Sequence, residues 1–243
     1  MQDRNALHHV LPIGSRDWIL MNSIYWGVFL VYLFLGGRME EKNRRFMGKV
    51  LGYIAWGNFV TSQFYSMVQG VWDLQISLPL HLCSLSQLLI GYMMITEKQW
   101  AYEFAVYWGA GAVHAFITPE ITTGSSLYHH IDYAISHGVI ILGSVYASLR
   151  MGFVPRKYSW LKVFGYTQLA IPIIGGIDWF LGANYMYLAQ KPSADNPMII
   201  GDWPYYIVSL ELVVLVHFYL FYQIHKGLTN WPKIRLVAPE NFN

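Results

Sequence analysis

WILMNSIYWGVFLVYLFL, residues 18–35, decides the fold. The run carries no charged residue, and as a helix it crosses most of a hydrocarbon core about 30 Å thick. The next stretch, GGRMEEKNRRFMGK at residues 36–49, crowds five basic side chains together. An apolar run that ends on such a cluster reads as a membrane helix stopping against a cytoplasmic surface. Asp3, Arg4, Arg16 and Asp17 precede it, and no small-residue cleavage site follows. The sequence therefore predicts a retained helix rather than a signal peptide.

Six further apolar windows follow, at residues 50–67, 78–95, 100–117, 131–149, 160–181 and 205–222. The chain of 243 residues is 55% hydrophobic and 12% charged. A soluble domain usually carries about 25% charged residues, too many to be drawn from this composition. Short connections join the windows, which predicts one integral membrane domain over residues 1–243, with tails at 1–17 and 223–243. Ten Trp and eighteen Tyr suit two interfacial aromatic belts.

Basic residues set the orientation. Arg38, Lys42, Arg44, Arg45, Lys49, Lys98, Arg150, Arg156, Lys157, Lys162, Lys226, Lys233 and Arg235 fall on one side of the alternating connections, and only Arg4, Arg16 and Lys191 on the other. The predicted fold is all-α: a polytopic bundle of seven transmembrane helices, N-terminus outside and C-terminus inside. The outer connections at residues 118–130 and 184–204 are long and rich in Gly, Pro, Ser and aromatics, and could cover an opening.

A net charge of +2 without a basic aromatic face gives no sign of a nucleic-acid partner. One cysteine, Cys83, excludes an intrachain disulfide and a multi-cysteine metal centre. The histidines lack metal-ligand spacing, so neither a metal nor another cofactor is expected. Membrane lipids are the expected partners.

Polar groups inside a bilayer are costly and point to function. With this orientation, Gln63, Ser66, His81, Cys83, His114, His137, Asp178 and Glu211 come from six windows yet fall in one outer layer. A water-accessible cavity opening outward would gather them. Depth says nothing of the direction each faces, and each has a plain structural reading. A lone Cys is ordinarily a small inert hydrophobe, and the Asn58, Ser62, Ser66 stripe suits helix packing. The chemistry these residue types could serve is nucleophilic catalysis: a thiol, a histidine that takes its proton, and a group that orients the ring. Cys83 and His137, with Asp178 or Glu211, supply the parts. No GxSxG, HExxH or phosphate-binding glycine loop occurs.

Five strings carry a resemblance: LPLHLCSLSQLLI from residue 78, FITPEITTG from 116, ISHGVIILGSVY from 135, GANYMYLAQKP from 182 and GDWPYYIVSLELVVL from 201. In this order they resemble the YwaF-like family of bacterial integral membrane proteins. That family is similar to an animal transmembrane acyltransferase that moves acyl chains between phospholipids, and more distantly to the androgen-induced membrane hydrolases. The resemblance implies acyl transfer or hydrolysis in a bacterial cytoplasmic membrane, with Cys83 as nucleophile and His137 as base. His81, His114, Asp178, Asn184, Glu211, Gln63 and Ser66 are its supporting or substrate-binding candidates. Family members commonly have Asn where this chain has Asp178. The animal enzyme's substrate does not carry over. The rival readings are a transporter or ligand-binding protein using the same cavity without covalent chemistry, and a structural membrane factor.

Overall fold

A computed structural model describes residues 9–121, 124–192 and 199–230, with side chains to residue 227. Arg4, Lys233 and Arg235 of the charge pattern lie outside the described residues, as do parts of the two tails and of both long outer connections. The described chain is almost wholly helical: α1 (Arg16–Arg38), α2 (Glu41–Val68), α3 (Leu82–Thr96), α4 (Gln99–Trp108), α5 (His114–Ile117), α6 (Leu127–Arg150), α7 (Ser159–Leu181) and α8 (Tyr205–Asn230). A 3-10 segment at Gly109–Val113 joins α4 to α5 in one rod, so seven rods lie on the seven apolar windows.

Local chemistry explains the boundaries. Ser15 caps α1 by accepting a hydrogen bond from Trp18 N–H at 3.3 Å. Helix α3 begins at Leu82, four residues later than its apolar window. Pro79 disfavours helical backbone in the residue before it, and His81 takes an extended conformation as the N-cap. With 15 residues, α3 is only about 22 Å long. The rod from Gln99 tightens at GAGAV because Gly109 faces α6: a Cβ there would meet Ile140 Cγ2 at 2.4 Å.

Helices α2, α3 and α6 form the centre, with α4 against α3 and α6, and α7 and α8 alongside. Glycine sets the α2–α3 spacing. A Cβ on Gly91 would lie 2.2 Å from the Trp56 ring, and one on Gly52 would lie 3.0 Å from Gly91 O. Tyr102, Tyr107, Tyr146, Ile90, Met93 and Met94 fill the interior. The outside is also apolar. Ile24, Leu30, Phe64, Leu169, Ile173 and Val208 are all more than 60% exposed, far from the habit of a water-facing helix. By length and composition, α1 and residues Tyr205–Gly227 of α8 are long and apolar enough to cross a membrane, and both bury little of themselves in the protein.

The rods alternate in direction. At one end, strand β1 (His9–Val10) pairs antiparallel with β2 (Glu120–Ile121). There Trp18 Nε1 donates to Ile117 O at 3.0 Å and Asn22 Nδ2 to Phe116 O at 3.1 Å, tying the start of α1 to the end of α5. At the other end, Arg150 Nε donates to Leu33 O at 2.8 Å, and Arg45 pairs with Glu97. Glu103, 4% exposed, accepts from the backbone N–H, Nε and Nη2 of Arg156 at 2.7–2.9 Å. Among the described residues, the ion pairs of Arg45 and Arg156 lie at the end that carries the basic connections, and that of Lys191 with Asp202 lies at the other.

The glycine contact at the centre makes a test. Gly91→Ala should destabilise the protein by about 1–3 kcal/mol through overpacking against Trp56. Gly27→Ala in α1, where a Cβ meets nothing within 4 Å, should be neutral or stabilise by up to about 1 kcal/mol. Denaturation in detergent measures both, and equal effects would contradict the packing described.

Candidate functional site

Cys83 stands in the first turn of α3, one residue past Leu82 and two past the His81 cap. The first backbone bond of this helix runs from Leu85 N–H to His81 O at 3.0 Å. The N–H groups of Leu82, Cys83 and Ser84 therefore have no partner within the helix, and the helix dipole favours negative charge there. The thiol is half-buried and packs against the main core.

His137 lies in α6, which packs directly on α3. Its Nδ1 is 3.0 Å from Tyr133 O, one turn back, and 3.2 Å from Ser136 Oγ. A carbonyl only accepts, so Nδ1 carries the hydrogen, and in the neutral ring Nε2 is the basic nitrogen. The Tyr133 ring lies against His137, with centroids 4.2 Å apart, and its hydroxyl donates to Ala115 O at 3.2 Å. No hydrogen bond joins Cys83 to His137 among the described residues. Tyr133 lies against His137 on α6, and α6 packs on the helix that carries Cys83.

A third element meets the start of α3 at His81. After α7, Met186 and Tyr187 adopt left-handed backbone, with φ of 54° and 58°, a costly conformation for such residues. The turn delivers Met186 N–H to His81 Nδ1 at 3.3 Å. It also places the Tyr187 ring 5.5 Å from that of His81. Burial raises the Tyr187 phenol above its ordinary pKa, and Glu120 and Cys83 add to the shift. Asp178, 3% exposed, holds the turn by accepting from Tyr185 N–H at 2.8 Å. The Tyr185 hydroxyl donates to Leu74 O at 2.7 Å and accepts from Leu78 N–H at 3.0 Å.

The other residues of the expected layer have partners of their own. His114 Nε2 meets His217 Nε2 at 3.1 Å, linking α5 to α8. Glu211 accepts from Gln168, linking α7 to α8. Asn184 folds onto its own loop, accepting from Ala189 N–H and Gln190 N–H and donating to Gln190 O. Gln63 accepts from Trp72 Nε1 at 2.8 Å, and Ser66 donates to Ser62 O at 3.0 Å. Among the described residues no three His, Cys, Asp or Glu side chains group to hold a metal ion. Tyr133, Tyr187, Asp132 and His217 were not singled out from the sequence. The spacing of Tyr133 from His137, one helical turn, was the available signal.

All-helical rods with apolar side chains on their outer as well as inner faces define a helical membrane protein. The chain belongs to the TMEM164 family, a transmembrane-protein family whose profile matches residues 12–222. Neither curated proteins nor solved structures yield a match.

The clamp on the turn is open to direct test. Tyr185→Phe removes two hydrogen bonds and should cost about 1–3 kcal/mol at about 1 kcal/mol each. Hydrogen exchange should quicken at residues 74–78 and 184–188 while α6 is unchanged. Uniform quickening throughout would contradict a local clamp.

Proposed function

We propose that the protein is an intramembrane lipid acyltransferase or acyl hydrolase that works through Cys83 and His137. In this reading it is a single membrane domain of seven crossings, N-terminus outside, in a bacterial cytoplasmic membrane. The resemblance to the YwaF-like family and the thirteen-to-three division of basic residues support that setting. One observation supports the chemistry: Cys83 sits in the first turn of α3, and His137, its Nδ1 held by Tyr133 O, sits on α6, the helix that packs on α3.

The thiol proton passes to His137 Nε2, which the Nδ1 bond to Tyr133 O leaves basic. The sulfur attacks an ester carbonyl of a phospholipid. The unpartnered N–H groups at the start of α3 are placed to stabilise the oxyanion. As the C–O bond breaks, the imidazolium at His137 protonates the departing alcohol, leaving an acyl thioester on Cys83. A lysolipid hydroxyl or water, deprotonated by His137, then takes the acyl group and restores the thiol. The gap between thiol and ring closes when substrate seats, since catalytic hydrogen bonds are often long in free enzymes. Asp178 supports the turn over His81, and Tyr187 lies against His81, two residues before the thiol.

A transport reading draws on a different polar set, the His114–His217 and Gln168–Glu211 contacts among α5, α7 and α8. It requires substrate uptake that survives Cys83→Ala.

Purified protein in lipid, given a phospholipid with a labelled acyl chain, should release or transfer that chain. His137→Ala should slow this by about 10²–10⁴-fold, and Cys83→Ala should reduce it to background. Unchanged turnover in both variants would rule the mechanism out.

A further inference from the structure

Asp132, one residue before Tyr133 on α6, faces α2. Asn58 Nδ2 donates to its Oδ1 at 3.0 Å, and Ser62 Oγ donates to its Oδ2 at 3.1 Å. Both donors are neutral. The ion pairs among the described residues join Arg45 to Glu41 and Glu97, Arg156 to Glu103 and Lys191 to Asp202, and none reaches Asp132. The nearby His129 is turned to Ser126 Oγ through Nδ1 at 2.7 Å. A carboxylate held by two neutral hydrogen bonds with no charged partner, in an apolar bundle, is a group that a bound cation would stabilise as the anion.

The space beside it suits one. A cavity of 340 Å³ opens between α2 and α6, with Asp132, Asn58 and Tyr128 among its lining. Its walls are Ile54, Thr61, Ile131 and Ile135, and Gly57 leaves the room. A Cβ on Gly57 would meet nothing within 4 Å. Tyr128 stacks on Tyr65 with centroids 3.8 Å apart, so an electron-rich aromatic pair adjoins the carboxylate. A carboxylate plus aromatic rings is the chemistry that recognises alkylammonium groups. Asp132 lies five residues into α6, about 8 Å along the axis. That is head-group depth when the helix start is taken as the membrane edge, and the isoleucines below offer walls for acyl chains.

The geometry points to this cavity as a binding site for the ammonium head group of a zwitterionic phospholipid, with Asp132 as its counter-ion. The site does not depend on acyl transfer, because its occupancy is measured by binding.

The test is native mass spectrometry of the full chain in detergent. It is titrated with phosphatidylcholine, phosphatidylethanolamine and phosphatidylglycerol of matched acyl chains. The wild-type protein should bind the two ammonium lipids at least about ten-fold more tightly than phosphatidylglycerol, as one desolvated charge pair gives. Asp132→Asn should bring the three lipids to parity. Gly57→Leu, which fills the cavity without a clash at Cβ, should remove the preference in a folded protein even where Asp132→Asn fails to fold. Gly176→Leu, on α7 where a Cβ also meets nothing within 4 Å, should retain it. A preference that survives Asp132→Asn and Gly57→Leu overturns the site. Free choline binding in a manner dependent on Asp132, with no discrimination among the lipids, overturns the lipid assignment in favour of a small cation.

Discussion

The Tyr185 hydroxyl, bonded at once to Leu74 O and Leu78 N–H, is the contact on which the site end of the bundle depends. In a bilayer, backbone outside helices is tolerated only where protein groups or trapped water satisfy it. Two irregular segments meet here, the approach to α3 around Pro79 and the turn after α7. Each supplies what the other lacks. Asp178 and Tyr185 fix the turn, and the turn's Met186 N–H fixes His81. His81 is in turn the cap from which α3 starts, so the first turn that carries Cys83 is set by groups more than a hundred residues away.

This explains why strained backbone is retained at Met186 and Tyr187. Relaxing either φ would withdraw Tyr187 from His81 and free the cap. The same geometry makes Asp178 a structural residue. Its Oδ1 is spent on Tyr185 N–H, and it does not orient His137, whose ring is held by the Tyr133 carbonyl. The orienting group is backbone of the same helix, which makes the histidine's tautomer a property of α6 itself.

The rods were legible because apolar runs of this length have few other uses. The differences arise where local chemistry overrides composition: α3 starts only after Pro79, and the fourth rod carries a 3-10 segment from Gly109, which is pressed against Ile140. The site was legible only in depth. Gln63, His114 and Glu211 share the layer of Cys83 along the chain, and in the structure they bond Trp72, His217 and Gln168, partners that depth alone does not reveal. Tyr133 and Tyr187 were hidden among eighteen tyrosines that suit interfacial belts. Asp132 stood in plain view as a carboxylate within an apolar window, beside an Asn58–Ser62 stripe that reads as packing until its acceptor is known.

The central claim is that Cys83 carries an acyl group. It is tested most directly by incubating the purified protein with phospholipid bearing a tagged acyl chain and isolating the protein without reductant. The expected result is label on Cys83 that neutral hydroxylamine releases and that Cys83→Ser lacks. Label should accumulate when His137 is replaced by a residue too weak to assist hydrolysis yet compatible with slow acylation. Lipid turnover that proceeds undiminished in Cys83→Ser, with no hydroxylamine-sensitive label on the wild-type protein, would contradict it.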